Sequence, residues 1–381
     1  MSEFLEMMEA WNGYIPVRKT LDESAIASAL DLIQNKAGLS PRRHAAMLEE
    51  AIVTTDFPYL FGQVIDRQLL ANYKGVDADW KNYMKVTTVP DFNTVRREKL
   101  HGTDHRLPEV PEKGEYHPST PTNCRYTYNV KKYGRQFDIS WESIINDSLG
   151  AFGDVPQRMA QAAARTEYYF ATSLFAASNG DGNSSLFGNT ITDCGQDITN
   201  LGTLPLTISN LETTMGLMAA QTNPAGEPLG IRAKHLVVGP ALEMTARSIL
   251  TSTVKMWTGE SIDVDGTKIY STPYPTTNVI PQLGLQLHVN PYIPVIDTTH
   301  GDTSWYLFAD PNDVAAMEFG YLRGHETPEI VMKSSDKVMP NGGAVSPFSG
   351  DFASDNIMYR VRVVFGGTPM DPRAAYLQSG A

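Results

Sequence analysis

TTVPDFNTVRREKLHGTDHRLPEVPEKGEYHPSTPT, Thr87 to Thr122, decides how the rest of the chain is read. Five prolines (Pro90, Pro108, Pro111, Pro118, Pro121) are spread among Arg96, Arg97, Glu98, Lys99, Asp104, Arg106, Glu109, Glu112, Lys113 and Glu115, and apolar residues are scarce. No core can form from this stretch. A loop of such length inside a compact domain is unusual, and is either a functional arm or disordered. Its flanks favour the arm. Tyr126, Tyr128 and Val130 alternate with Thr127, Asn129 and Lys131, the pattern of a half-buried strand, and Tyr83 to Val89 is strand-like on the other side. The pair predicts a long two-stranded hairpin thrown out of the body, and such a hairpin is marginally stable unless it lies on another surface. Because Arg96 to Glu115 adds no core, its deletion is expected to leave the chain folded.

Outward from the hairpin, the N-terminal region reads as short helices. Asp22 precedes Ala25, Ile26, Ala29, Leu30 and Ile33 at helical spacing, and Gly38 closes the segment. Ser40 and Pro41 start a second helix through Met47, Leu48 and Ile52, and Gly62 to Tyr73 supplies a third. On the C-terminal side comes the strongest helix, with Asp154 as N-cap and Pro156 in its first turn, running to about Ser178 before Asn179 and Gly180. Met159, Ala163, Thr166, Phe170 and Leu174 share one face. Thr207 to Tyr321 reads as a separate α/β unit, with a capping box of Ser209 and Glu212, strands at His235–Val238, Leu285–Val289 and Trp305–Phe308, and a helix through Ile249 and Leu250. A last strand, Tyr359 to Phe365, puts Tyr359, Val361, Val363 and Phe365 on one face and Arg360 and Arg362 on the other. No internal repeat of fixed period is present.

Composition sets the outer bounds. The chain has 381 residues, 41% hydrophobic, with a formal net charge of -12. That charge offers no general attraction for phosphate backbones, so a dedicated nucleic-acid binder is disfavoured, while a container around DNA remains compatible. Cys124 and Cys194 show no CxxC spacing and are expected to be two free thiols. The opening MSEFLEMMEA lacks a basic n-region and an apolar core, and no apolar run reaches the roughly 20 residues needed to cross a bilayer. The expectation is a protein that stays in the cytoplasm where it is made, with no membrane partner.

Chemistry is hard to place on this sequence. His101 and His105 have i,i+4 spacing but sit in HGTDH within the loop, without the HExxH context of a zinc helix. Asn179, Asp181 and Asn183 imitate the start of a calcium loop, yet Ser184 stands where Gly is needed and Thr190 where Glu is needed. Glu142 and Asp147 are carboxylates with nothing to set them around a substrate. Phosphate loops, dinucleotide fingerprints and nucleophile elbows do not occur, and Pro240 after the strand 235–238 removes an amide that a phosphate cradle would use. No catalytic, cofactor or metal residue is assigned, and no cofactor is expected.

The ordered pieces resemble the major capsid proteins of tailed bacteriophages with the Hong Kong 97-type fold, in the Mu-like major head subunit branch. The resemblance is carried by TTDFPYLFGQVIDRQLLANY (Thr54–Tyr73), VPDFNTVRREKL (Val89–Leu100), LPEVPEKGEY (Leu107–Tyr116), KKYGRQFDISWESIINDSLGAF (Lys131–Phe152) and PQRMAQAAARTEYYF (Pro156–Phe170), and less sharply by LVVGPALEMTA (Leu236–Ala246).

The resemblance implies an α+β chain organised as follows: residues 1–82 an N-terminal arm, largely helical; 83–130 an extended E-loop hairpin; 131–204 the first part of a P-domain, with a spine helix at about 155–178; 205–326 an α/β A-domain; 327–366 P-domain return strands; 367–381 a C-terminal segment returning to the A-domain. It implies a shell subunit and not an enzyme: a virion protein assembled in the host cytoplasm as hexamers and pentamers of an icosahedral capsid. Packaged double-stranded DNA would be touched non-specifically. Portal, scaffold, protease or decoration proteins are the other implied partners. Arg96, Arg97, Glu98, Lys99, Arg106, Glu109, Glu112, Lys113 and Glu115 would make the contacts between subunits. Members that crosslink do so between a loop lysine and a neighbour's asparagine. Lys99, Lys113, Asn341 and Asn356 are the residues in such regions here, and nothing in the sequence singles them out. The alternatives are an encapsulin-like compartment shell of the same fold and a soluble hydrolase built on the 205–326 unit.

Overall fold

The structure is a computed structural model and describes residues 69–75, 78–101, 106–107, 109–116, 118, 121–140, 150–257, 260–262, 268–270, 274–338, 340 and 350–380. The helices read at 22–38 and 41–52, most of the one at 62–73, and His105, Glu142, Asp147 and Asn341 lie outside the described residues. The fold is mixed α+β, in two units. One comprises residues 1–73, 135–160 and 329–361; the other comprises 74–134, 161–328 and 362–381.

In the first unit, β4 (Lys131–Ser140), β16 (Glu329–Met332) and the leading half of β17 (Asn356–Pro369) are strands of one sheet. Alternation works as read: Ile357, Tyr359 and Val361 are buried and Arg360 is exposed. Leu69, Ala160 and Val361 form the core here, with Tyr73, Phe137, Met159 and Ile330 packed against it. The Phe137 ring stacks on Tyr359 at 5.1 Å.

Among the described residues, two larger sheets and four two-stranded ones run in the second unit. In one of the larger sheets, β1 (Lys85–Val89) pairs in parallel with β15 (Met317–Leu322), which pairs antiparallel with the trailing half of β17. In the other, the order is β13 (Gln286–Val289), β8 (Ala233–Val238), β14 (Trp305–Ala309), β18 (Ala375–Gln378), β7 (Leu201–Gly202). Every residue of β14, β15 and β18 is buried, so these strands are covered on both faces; WYLFA in β14 reads as a continuous apolar run, whereas Glu318 interrupts β15 and Gln378 ends β18. Tyr83 stacks on Phe308 at 5.6 Å, Trp80 meets Phe319 at 4.4 Å, and Phe175 meets Tyr306 edge-on at 4.9 Å.

Helix α1 spans Gly150–Ser173, so Asp154 and Pro156 lie inside it and do not open it. It ends where the bonds tighten to i→i+3, from Leu174 N–H to Ala171 O and Phe175 N–H to Thr172 O. Its buried stripe is Ala160, Ala163, Glu167, Ala171 and Leu174, one step round from the predicted face. Met159 packs beside Ala160 at the edge of this face, and Thr166 turns its hydroxyl back to Ala162 O at 2.7 Å. Helix α2 (Ile208–Ala219) is capped by Thr207, whose hydroxyl accepts from Asn210 N–H at 3.2 Å. Ser209 is already inside the helix, and Glu212 pairs with Lys255 at 2.7 Å, so no capping box forms. Helix α3 (Glu243–Thr251) follows β8 as read.

Candidate assembly hairpin

The charged stretch is itself a strand. β2 (Val95–His101) pairs antiparallel with β3 (Thr122–Tyr128), with Val95 opposite Tyr128 and His101 opposite Thr122. The strand-like Tyr83–Val89 segment goes elsewhere, through β1 into the β15 sheet, which corrects the predicted pairing. Thr87 and Val89 share the covered face of β1 while Val86 is exposed, whereas β2 runs Arg96, Arg97, Glu98 and Lys99 together and reads as a loop if burial is assumed to be apolar.

The period of two sorts the charges. Val95, Arg97, Lys99, Cys124, Tyr126 and Tyr128 point inward and are half-buried or buried, while Arg96, Glu98, Leu100, Asn123, Arg125 and Thr127 face solvent. The inner face is anchored at three levels. At the base, Tyr128 joins Val89, Val130, Leu322 and Val364 in a small apolar cluster, with Val95 against it. Its hydroxyl donates to Glu318 Oε1 at 2.6 Å. Glu318 has no exposure at all, yet it accepts from Arg97 Nε and Nη2 at 2.9 and 2.7 Å and from Thr87 Oγ1 at 2.8 Å. Burial pushes the carboxyl up, but the donors Arg97, Tyr128 and Thr87 outweigh it and hold Glu318 below its ordinary value. Tyr128 is pushed up to about 12, by burial and then by that carboxylate. Gly320 makes the arrangement fit: a Cβ there would lie 2.5 Å from the Tyr128 hydroxyl.

The middle level is built on Arg373, 1% exposed. Its Nη1 donates to Asp193 Oδ2 at 2.7 Å and Asp371 Oδ1 at 3.0 Å, and Nη2 donates to Gln196 Oε1 at 3.0 Å. The hairpin plugs into the same carboxylates. Tyr126 OH donates to Asp193 Oδ1 at 2.9 Å, and Lys99 pairs with Asp371. Two buried carboxylates thus receive one fully buried cation, one half-exposed cation and a phenol, which is the compensation that buried charge requires. The tyrosine is raised well above its ordinary value, by burial first and by Asp193 next.

The third level is covalent. Cys124 and Cys194 form a disulfide, with Cα atoms 5.5 Å apart, and are not two free thiols. The register that puts Cys124 on the inner face beside Lys99, and the tight turn between β5 (Ile191–Asp193) and β6 (Gln196–Ile198) that presents Cys194, bring together residues 70 apart in sequence. A spacing rule cannot see that approach.

The nine predicted contact residues therefore divide. Arg97 and Lys99 are engaged within the subunit, and Arg106 pairs with Glu227 at 2.8 Å while 81% exposed. Glu98 meets Arg125 across the outer face at 3.5 Å. Arg96, Glu109, Glu112, Lys113 and Glu115 are exposed, beside the exposed apolar residues Leu107 and Tyr116. Lys113 has φ 65 in a turn closed by Gly114 N–H to Pro111 O. Of the crosslinking candidates, Lys99 is held by Asp371 and Asn356 donates to Asp138 at 3.1 Å. Deleting Arg96 to Glu115 would strip Arg97 from Glu318 and Lys99 from Asp371, so that deletion would not be neutral to folding as the sequence implied.

Among the described residues no group of three or more His, Cys, Asp or Glu side chains could hold a metal ion, and no helix is long and apolar enough to cross a membrane. Residues 125–378, well over half of the chain, match the family model described as phage capsid protein. The chain belongs to the phage capsid protein family. Membership makes this capsid protein a structural shell-forming subunit of the virion, not an enzyme. No curated protein matches it. Solved structures similar to the capsid protein include one from Gordonia phage Cozz, at 16% identity over 78% of this chain and 84% of that one, TM-score 0.43. Another is the capsid of a native GTA particle, at 13% identity over 80% and 90%, TM-score 0.47. A third is from cyanophage P-SCSP1u, at 11% identity over 78% and 86%, TM-score 0.46. All three lie below 0.5, so membership is carried by the family match alone.

Proposed function

We propose that this capsid protein has the Hong Kong 97-type fold and self-assembles, as hexamers and pentamers, into the icosahedral head that encloses double-stranded DNA. In this reading the β2–β3 hairpin is the extended loop, α1 the spine helix of the P-domain, and the sheet around β14 the A-domain, to which β18 returns the C-terminal segment. The observation that carries the reading is the two-sidedness of the hairpin: its inner face is tied down by Glu318, Asp371, Asp193 and a disulfide. Its outer face and tip keep charges of both signs in solvent. A hairpin anchored along its inner face and charged and solvent-exposed along its outside suits a neighbouring subunit, through a polar and salt-sensitive contact. The net charge of -12 suits a wall that holds DNA without gripping it. Portal and scaffold proteins are further partners, with assembly in the host cytoplasm.

The test is to express the chain alone and image it by negative-stain electron microscopy, beside a variant in which Arg106 to Tyr116 is replaced by a Gly-Ser linker. Shells, tubes or capsomer rings from the parent and folded, unassembled subunits from the variant are expected. A parent that stays monomeric at every salt concentration overturns assembly, and a variant that forms normal shells overturns the hairpin's part in it.

A further inference from the structure

The redox state of the Cys124–Cys194 pair has no part in the shell reading above. We propose that the pair is a reversible latch that pins the hairpin to its own subunit when oxidised and frees it when reduced. Three features converge on this. The bond sits at the middle of the hairpin, at the Lys99–Cys124 rung, where it governs whether the distal half can lift. Both cysteines are half-buried and not sealed in a core, so small thiols can reach them. Cys194 also occupies an unfavourable place. It and Gly195 have φ of 54 and 81 between the paired residues Asp193 and Gln196, the two-residue turn that prefers Asn-Gly. A cysteine gains nothing from left-handed backbone, so its presence there is explained by the bond it makes.

The oxidant is a low-molecular-weight disulfide. One cysteine thiolate attacks it, forming a mixed disulfide and expelling one small thiol. The second thiolate then attacks the protein sulfur, expelling the other. The protein loses two electrons and two thiol protons, and the small disulfide becomes two thiols. Excess small thiol drives the exchange backwards, as in a reducing compartment. The reduced hairpin would then be held by its non-covalent contacts: the apolar cluster at Tyr128, the Arg97 and Tyr128 bonds to Glu318, Lys99–Asp371, Tyr126–Asp193 and Arg106–Glu227. That a freed hairpin assists assembly and a pinned one hardens the finished shell rests on the proposed function; the latch itself is a property of the subunit.

The experiment equilibrates the purified full chain with excess reduced or oxidised glutathione, traps thiols with N-ethylmaleimide, and reads crosslinking and backbone hydrogen exchange by mass spectrometry. In oxidised glutathione a Cys124–Cys194 crosslinked peptide is expected, and in reduced glutathione two alkylated thiols. Amides of 95–101 and 122–128 should exchange on the order of tenfold faster when reduced, with those of Trp305–Ala309 unchanged. Cys194→Asn, which suits the turn, should exchange fast in both. Two alkylated thiols after oxidised glutathione, a crosslink that survives excess reduced glutathione, or equal hairpin exchange in the two states overturns the latch. If the variant does not fold, the two arms on the parent chain still decide it. Shell formation is scored separately, so a failed latch and a failed assembly reading are distinguishable.

Discussion

Strands β14 and β2 sit in the same unit and are fixed in opposite ways. WYLFA in β14 is buried at every position, against rings and aliphatic side chains, whereas VRREKLH in β2 is held through alternate residues, Val95 on a small apolar cluster and Arg97 and Lys99 on buried carboxylates. Apolar burial is non-directional and tolerates small shifts; an ion pair to a buried carboxylate is directional and fails when one partner goes. β14 itself is therefore held without charge, and the hairpin's hold depends on pH and salt.

The largest effect should come from the core. Trp305→Ala removes a fully buried indole and its Nε1 bond to Leu204 O at 3.0 Å, and is expected to cost about 3–5 kcal/mol by urea denaturation. Glu318→Ala should cost about 2–4 kcal/mol, since Arg97, Tyr128 and Thr87 lose their acceptor together, although Arg97 is exposed enough to turn to water. The two differ in kind. Hydrogen exchange should rise throughout the unit in Trp305→Ala and mainly in β2 and β3 in Glu318→Ala.

Acid sharpens the contrast. Glu318 titrates below its ordinary value, so the unfolded chain binds its proton more readily. Its contribution is complete above the normal carboxylate range and is lost as pH falls through the lowered value. A second group acts earlier, inside the apolar sheet. His235 Nδ1 lies 2.9 Å from His288 Nε2, and His288 Nδ1 lies 2.6 Å from Asp79 Oδ1. If His288 donates to Asp79, His235 donates to His288, and His235 Nε2 is left buried with no hydrogen-bond partner. Burial first, then His288, lowers His235 to about 4. The unfolded histidine charges near 6.5 and the folded one does not, so about 2–3 kcal/mol should be lost as pH falls from 6.5 to 4. His235→Gln keeps a donor for His288 and should flatten that slope in denaturation series taken across the range.

How much of this the sequence shows follows from the same contrast. Trp305–Ala309, Gln286–Val289 and the alternation of Tyr359 to Val363, which ends at the buried Val364, are legible because apolar pattern and strand are the same signal. Met317–Leu322 is missed because Glu318 and Gly320 interrupt that signal, and both are there for the hairpin: one as its acceptor, the other as room for Tyr128. The hairpin is legible as a segment that needs a surface. That much of the surface is its own subunit is not, because Asp193, Asp371 and Arg373 are ordinary charged residues until a fold brings both carboxylates onto the one guanidinium, at 2.7 and 3.0 Å.

The smallest stability effect should fall on the outer face, where the functional effect is largest. Glu98 and Arg125 are each about half exposed, and such a pair contributes no more than ~0.5 kcal/mol. Glu98→Lys replaces it with a like-charge rung across β2 and β3, without touching Glu318, Asp371 or the disulfide. Its denaturation midpoint should stay within error of the parent, and a Glu98→Lys, Arg125→Glu double variant should restore the rung. If the outer face only meets water, both variants should form shells like the parent. If it meets a neighbour, both should assemble poorly, because restoring charge within the hairpin does not restore its match to the next subunit. Light scattering against salt concentration separates the two cases. Only a contact between subunits makes the double variant fail where the rung itself has been repaired.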